Sequence, residues 1–216
     1  MKFPNAYAGV KKIFTAEILS LIAAVCSTIA LALTATTLIA AASDNETGTL
    51  ASIGGLAVFG VAVIVLAIIA FILQLVGTIN GSKDESAFRI AMFLIIAGIV
   101  ISGASSFFSN NATAKSILTI LSDAVSLGVT VYIIQAIKNL AERLNNSEMM
   151  AKGDNIFKII LIIYALIIIA RIITLIFQNT AGVVAAVVFI VIAGILEVVQ
   201  YVLYLMYLAK AKKMLA

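Results

Sequence analysis

Histidine is absent from this chain, and cysteine occurs once. Without imidazole there is no His-ligated metal site, no His general base and no His switch near neutral pH. The lone thiol, Cys26, forms neither an intrachain disulfide nor a Cys-rich metal site, and redox compartment is not readable from it. Charge is scarce too. Only 11% of the 216 residues are Asp, Glu, Lys or Arg, against about 25% in an ordinary soluble domain. Apolar residues take the space: 63% of the chain, with a mean hydropathy of +1.21. A soluble fold cannot hide that much apolar surface, so the composition implies an integral membrane protein. The net charge of +4 does not point to nucleic acid. The basic residues sit at the ends of apolar segments rather than in a patch.

A helical span needs about 20 mostly apolar residues. Six segments qualify: Ile13–Ala41, Ile53–Ile79, Phe88–Phe108, Ile117–Ile137, Ile156–Phe177 and Ala181–Leu208. The fourth is the most polar, with Thr119, Ser122, Asp123, Ser126, Thr130 and Gln135. The flanking charges alternate. Twelve of the fourteen basic residues fall on one side: Lys2, Lys11, Lys12, Lys83, Arg89, Lys138, Arg143, Lys152, Lys158, Lys210, Lys212 and Lys213. Lys115 falls on the other side, and Arg171 lies within a span. The positive-inside rule then places both termini in the cytoplasm of a multi-pass cell-membrane protein. Losing span four would put the C-terminal lysines outside. Ala40-Ala41-Ala42 imitates a signal-peptide cleavage site, but the apolar run before it is about twice a normal h-region, so no cleavage is expected. The expected architecture is all-α, a single six-helix transmembrane domain over residues 1–216. The longest connection, Lys138–Asn155, is too short for a core. Its first half is expected to extend span four as an amphipathic helix with Ile137, Leu140, Ala141 and Leu144 on one face, ended by Asn145-Asn146 and Gly153.

The odd spans begin alike, at Ile13-Phe14-Thr15, Ala87-Phe88-Arg89 and Ile156-Phe157-Lys158. Phe108 and Phe177 follow twenty residues after the second and third phenylalanines. One reading is three tandem two-helix hairpins of parallel orientation; the other is that any inward-to-outward helix starts with an aromatic and a cation. The stretches Leu66-Ala-Ile-Ile-Ala-Phe-Ile-Leu-Gln-Leu-Val-Gly77, Lys83-Asp-Glu-Ser-Ala-Phe-Arg89 and Tyr132-Ile-Ile-Gln-Ala-Ile-Lys-Asn-Leu-Ala-Glu-Arg143 resemble parts of small, uncharacterised multi-pass membrane proteins of bacteria and archaea. That resemblance covers the middle of the chain. It implies the topology and no activity.

Ionisable residues inside a span are costly and mark functional candidates. Asp123 and Arg171 each lie seven residues inward from an outer boundary, about 10 Å deep at about 1.5 Å per residue. Opposite charges at matched depth predict an ion pair that pins spans four and five. The alternative is an anion or substrate site at Arg171. Glu197 lies near mid-membrane, and Gln200, Tyr201, Tyr204 and Tyr207 follow it at helical spacing. Two readings stay open for Glu197: counter-charge or proton carrier in a cavity for a cationic or amphiphilic solute, or an interhelical hydrogen bond. An interfacial belt accounts for Tyr204 and Tyr207. Glu17, five residues inside Lys12, is expected to reach the headgroups or a nearby lysine. Span one also carries a small-residue seam, Ser20, Ala24, Thr28, Ala32, Thr36 and Ala40, with a shorter one at Gly98, Ser102 and Ser106. Such seams are expected to serve intrachain packing ahead of a membrane partner. The substrate-binding subunits of energy-coupling-factor importers dock their partner through a related seam, and this chain is similar to them in outline only.

Two functions stand against each other. One is a solute-binding protein or transporter with its ligand residues at Glu197, Gln200, Tyr201 and Tyr204 and a gate at Asp123 and Arg171. The other is a non-catalytic scaffold or accessory subunit in the lipid bilayer, with a partner on the Ser20–Thr36 seam. An enzyme is not expected: there is no histidine, no Ser-Lys or paired-Asp pattern, and no loop large enough for a nucleotide. No cofactor, metal or nucleic-acid partner is assigned.

Overall fold

The computed structural model describes residues 2–42, 46–107, 112–176 and 180–216, all of them helix or short connection. Within those helices, the side chains of residues 31, 35–42, 46–54, 56, 106, 112–113, 115–116, 167, 170–176, 180–191, 193–195 and 197 fall outside the description. Six helices follow one another: α1 Pro4–Ala42, α2 Glu46–Gly81, α3 Ser86–Phe107, α4 Ala112–Arg143, α5 Ser147–Ile176 and α6 Thr180–Leu215. Each overlaps one of the six apolar segments; Phe108 and Phe177, the ends of the third and fifth, lie outside the described residues. Among the described residues, four stretches are long and apolar enough to cross a membrane: Pro4–Thr34, Ala57–Gly81, Ser86–Ser105 and Ile117–Arg143.

The helices extend past their apolar segments because local chemistry starts and stops them there. Pro4 opens α1, where its missing N–H would be unpaired anyway. Tyr7 N–H then donates to Phe3 C=O at 3.0 Å as the first helical bond. At the α4–α5 junction, Asn146 N–H donates back to Ala141 C=O at 2.9 Å and Asn145 N–H to Glu142 C=O at 2.9 Å. This is a Schellman ending, and Asn145 takes the left-handed conformation it requires, with φ of 53°. Asn146 immediately caps the next helix: its Oδ1 accepts from Met149 N–H at 3.0 Å. One Asn-Asn pair thus ends α4 and begins α5. Gly153, expected from the sequence to interrupt helix here, lies inside α5. Its role is close approach, described below.

The chain divides into two compact units. One comprises Met1–Val10 with Thr78–Ala216, the other Lys11–Gly77. In the first, α3 packs on α4, α4 on α5 and α5 on α6. Its fully enclosed side chains include Phe88, Ile133, Ile134, Ile137, Leu140, Ile160, Tyr207 and Leu208, all toward the lysine-rich end. Ile137, Leu140 and Ala141 are buried together, as the amphipathic reading of this segment requires. Met149 and Leu215 lie past the apolar spans, where water is the alternative environment. Burying each such side chain stabilises by about 1.5–3 kcal/mol. Deeper in the spans lipid is as apolar as leucine, and packing rests on dispersion instead.

In the second unit, Val58, Val61, Val65, Ile68 and Ile72 form an exposed apolar stripe along α2. On α1, Ser20, Ala24, Thr28 and Ala32 are exposed as well. The sequence favours intrachain packing for this seam; within this unit these four residues are exposed. A helix lined by Ser, Ala and Thr has too little side chain to reach a neighbour unless the backbones approach closely. Thr36 and Ala40 lie outside the described residues.

Candidate functional site

The polar side chains of the first unit gather in three places. The first is the turn between α2 and α3. Asp84 Oδ2 accepts from Ala6 N–H at 2.7 Å, and Oδ1 accepts from Asn5 Nδ2 at 3.0 Å. Ala6 is in the first turn of α1, whose N–H groups have no partner within the helix. Asp84 therefore caps α1 from 78 residues away and places a negative charge at the positive end of its dipole. Its neighbour Glu85 has a side chain only 2% exposed. Glu85 Oε1 accepts from Asn139 Nδ2 at 2.9 Å, while Arg143 Nη2 stands 2.7 Å from Oε2. Among the described residues no N–H is aligned on Oε2 for a hydrogen bond, so that contact is an ion pair held by proximity. Arg143 Nη1 also donates to the backbone C=O of Asp84 at 3.1 Å. A carboxylate only accepts, so the amide nitrogen of Asn139 must face it. That leaves Asn139 Oδ1 to accept from Gln135 Nε2 at 2.7 Å. The result is a clasp joining the start of α1, the α2–α3 turn and the end of α4.

The second place is the junction of α4, α5 and α6. Lys138 of α4 pairs with Asp154 of α5. Beside them, a Cβ added to Gly153 would lie 2.5 Å from Lys138 Cγ and 2.7 Å from the Tyr207 hydroxyl. Only glycine leaves room for α5 to pass these two side chains. The Tyr207 Oη is enclosed, with no hydrogen-bond partner among the described residues.

The third is the inward face of α6. Gln200 is 8% exposed, Tyr204 3% and Tyr207 2%, whereas Val198, Val199, Val202 and Met206 on the other side are exposed. Tyr201 is half-buried. An interfacial belt needs exposed rings, so Tyr204 and Tyr207 do not form one: they belong to the core of the bundle. Gln200 Oε1 is enclosed and makes no hydrogen bond among the described residues. An unmet buried acceptor costs about 1–3 kcal/mol.

The sequence candidates divide accordingly. Gln200 and Tyr204 share one buried face, with Tyr201 at its edge. Asp123 is half-buried on α4, with Oδ2 enclosed. The side chains of Arg171 on α5 and Glu197 on α6 lie outside the described residues, and with them the Asp123–Arg171 pair. Glu17 is half-buried on α1. The clasp is not visible as charge within a span, because Asp84 and Glu85 stand in the connection between α2 and α3. A signal existed: Gln135, Asn139 and Arg143 recur every fourth residue, a polar stripe on an apolar helix.

Comparison with protein-family models, curated proteins and solved structures found no match. The class of protein is defined by the helices themselves. This is an all-α integral membrane protein with several candidate spans, in contact with the lipid bilayer.

Proposed function

We propose that the chain is a six-pass protein of the cell membrane with both termini in the cytoplasm, and that it binds or transports a small solute on the inward face of α6. The topology is supported by the placement of twelve of fourteen basic residues at one end. The solute site is supported by one observation above all: the enclosed Oε1 of Gln200, without a hydrogen-bond partner among the described residues, one turn from the buried ring of Tyr204. In this reading Gln200 and the tyrosines hydrogen-bond the solute. Glu197, one turn earlier in α6, supplies counter-charge or a proton, and Asp123 with Arg171 pins or gates the outer end. No catalysis and no cofactor is assigned.

The test is a ligand-induced thermal-shift screen on purified wild type, Gln200→Leu and Glu197→Gln. The expected result is a small molecule that stabilises wild type and loses its effect in both folded variants. A Gln200→Leu protein that is more stable than wild type and keeps every ligand response would sink the site. The second reading, a non-catalytic scaffold or importer-type accessory subunit, is favoured by the exposed Ser20, Ala24, Thr28 and Ala32 seam. A cysteine at Thr28 that crosslinks to a neighbouring membrane helix in cells, with no ligand response in the screen, is its expected signature.

A further inference from the structure

Gln200, Tyr204 and Tyr207 recur at intervals of four and three, which puts them on one stripe of α6. All three are buried, and Gln200 Oε1 and the hydroxyls of both tyrosines are enclosed. Gln200 Oε1 and Tyr207 Oη make no hydrogen bond among the described residues. Leucine and phenylalanine would fill nearly the same space with no polar atom to satisfy. Enclosed polar atoms of this kind are ordinarily met by ordered internal water, which needs several polar partners around it. A stripe of three polar tips, about 10 Å long at about 1.5 Å per residue, supplies such a lining.

One end of the stripe reaches solvent. A Cβ on Gly153 would lie 2.7 Å from Tyr207 Oη and 2.5 Å from Lys138 Cγ, so the hydroxyl and the lysine stem flank the same point of α5. Lys138 pairs with Asp154, the residue after Gly153, and the Asp154 side chain is 51% exposed. A solvated ion pair from α4 and α5 thus stands beside the enclosed hydroxyl from α6. At the other end, Glu197 precedes Gln200 by one helical turn.

We propose that Tyr207 Oη and Gln200 Oε1 hold a file of internal water along α6, fed from the cytoplasm at Lys138 and Asp154, and that protons reach the solute site along it. A hydroxyl relays a proton with no net change: its oxygen accepts one and its own proton moves on. That exchange needs no opening wide enough for a molecule. A sodium ion must pass bodily, and the enclosed Tyr207 ring stops it. Gln200 Oε1 only accepts, so it orients the innermost water rather than relaying. Each proton leaves a hydronium at the mouth and ends on the Glu197 carboxylate, and the waters then turn back to their starting orientation. Delivery to Glu197 rests on the solute reading; the water at Tyr207 does not.

Two measurements test the path. Hydroxyl-radical footprinting of wild type reads the water, because radicals formed from internal water oxidise the buried side chains beside them. Tyr207 is expected to be oxidised faster than Phe88, an aromatic ring of α3 with no exposed surface. The second measurement is a pH jump on protein in liposomes, followed by the infrared band of the protonated Glu197 carboxyl, assigned by its loss in Glu197→Gln. Tyr207→Phe keeps the ring and removes the relay. It should slow the rise of the band by about 100-fold, the low end for a positioned proton-transfer group, and leave the final amplitude unchanged. A sodium jump at constant pH should leave the band unmoved. Oxidation of Tyr207 no faster than that of Phe88 overturns the water file, whatever the variant does. An equal rate in Tyr207→Phe, or a changed amplitude at an equal rate, overturns the relay and leaves the solute reading standing. A wild-type protein with no Glu197 band at any pH overturns delivery to Glu197, and the ligand screen then decides the solute reading separately.

Discussion

Asn145 is the one non-glycine residue with positive φ among the described residues, and its conformation decides how α4 ends. A left-handed residue costs about 1–2 kcal/mol when its side chain crowds the following carbonyl; asparagine tolerates it, and glycine is free of it. Asn145→Val is expected to lower stability by about 1–2 kcal/mol and Asn145→Gly to leave it nearly unchanged, measured by thermal unfolding in detergent. Equal midpoints for the two variants would mean that the α4–α5 turn is built differently. Gly81 is constrained from outside instead. A Cβ there would lie 2.7 Å from Cγ and Cδ2 of Phe88, a ring with no exposed surface. An enclosed ring cannot swing away. Gly81→Ala should destabilise by about 1–3 kcal/mol, with Phe88→Leu in the same chain recovering part of the loss. A neutral Gly81→Ala would show that the ring has room to move.

At the level of whole helices, the clasp does work that apolar packing cannot. Helices in lipid slide easily past one another on apolar faces, because no hydrophobic gain fixes their register. Asp84, Glu85, Asn139 and Arg143 fix it with directional contacts at one end. Arg143 is half exposed, so its loss should cost less than a fully buried pair: about 1–3 kcal/mol for Arg143→Leu, mostly from the carboxylate left behind at Glu85. Removing both charges in Glu85→Leu with Arg143→Leu takes that penalty away. The double variant should be more stable than the sum of the singles predicts, by at least about 0.5 kcal/mol. Strict additivity in the thermal-unfolding cycle would deny the coupling. Asp84→Ala removes a cap and is expected to cost about 1 kcal/mol, seen as faster amide exchange in the first turn of α1 with the α4–α5 turn unaffected.

For the molecule as a whole, the testable matter is how often the chain crosses the bilayer. Six passes with cytoplasmic termini require cysteines at Lys83, Ser147 and a position after Ala216 to react only from the cytoplasm. Cysteines at Asn45 and Asn110 must react only from outside. The labelling is done in a Cys26→Ser background, since Cys26 is the one native thiol. External reactivity after Ala216 would remove one span and reverse the C-terminal half.

Amino-acid order alone carried the helix number and the approximate helix bounds. Both depend on local properties: an uninterrupted apolar run about a bilayer thick, and charges that will not enter lipid. Thus all six apolar segments recur as α1 to α6, and the burial of Ile137, Leu140 and Ala141 follows from their spacing. Other features depend on which distant residues meet, and no local rule contains that. Gly153 reads as a breaker from its own preference, yet α5 runs through it because Lys138 and Tyr207 fill the space where its side chain would be. Tyr204 and Tyr207 read as an interfacial belt because tyrosine has an apolar body and a polar tip; packing among α4, α5 and α6 buries them instead. Asp84 reads as an ordinary loop acid until the fold brings the first turn of α1 to it. Only tertiary packing sets that contact, because the partners lie 78 residues apart and cap geometry depends on three-dimensional approach rather than on sequence spacing.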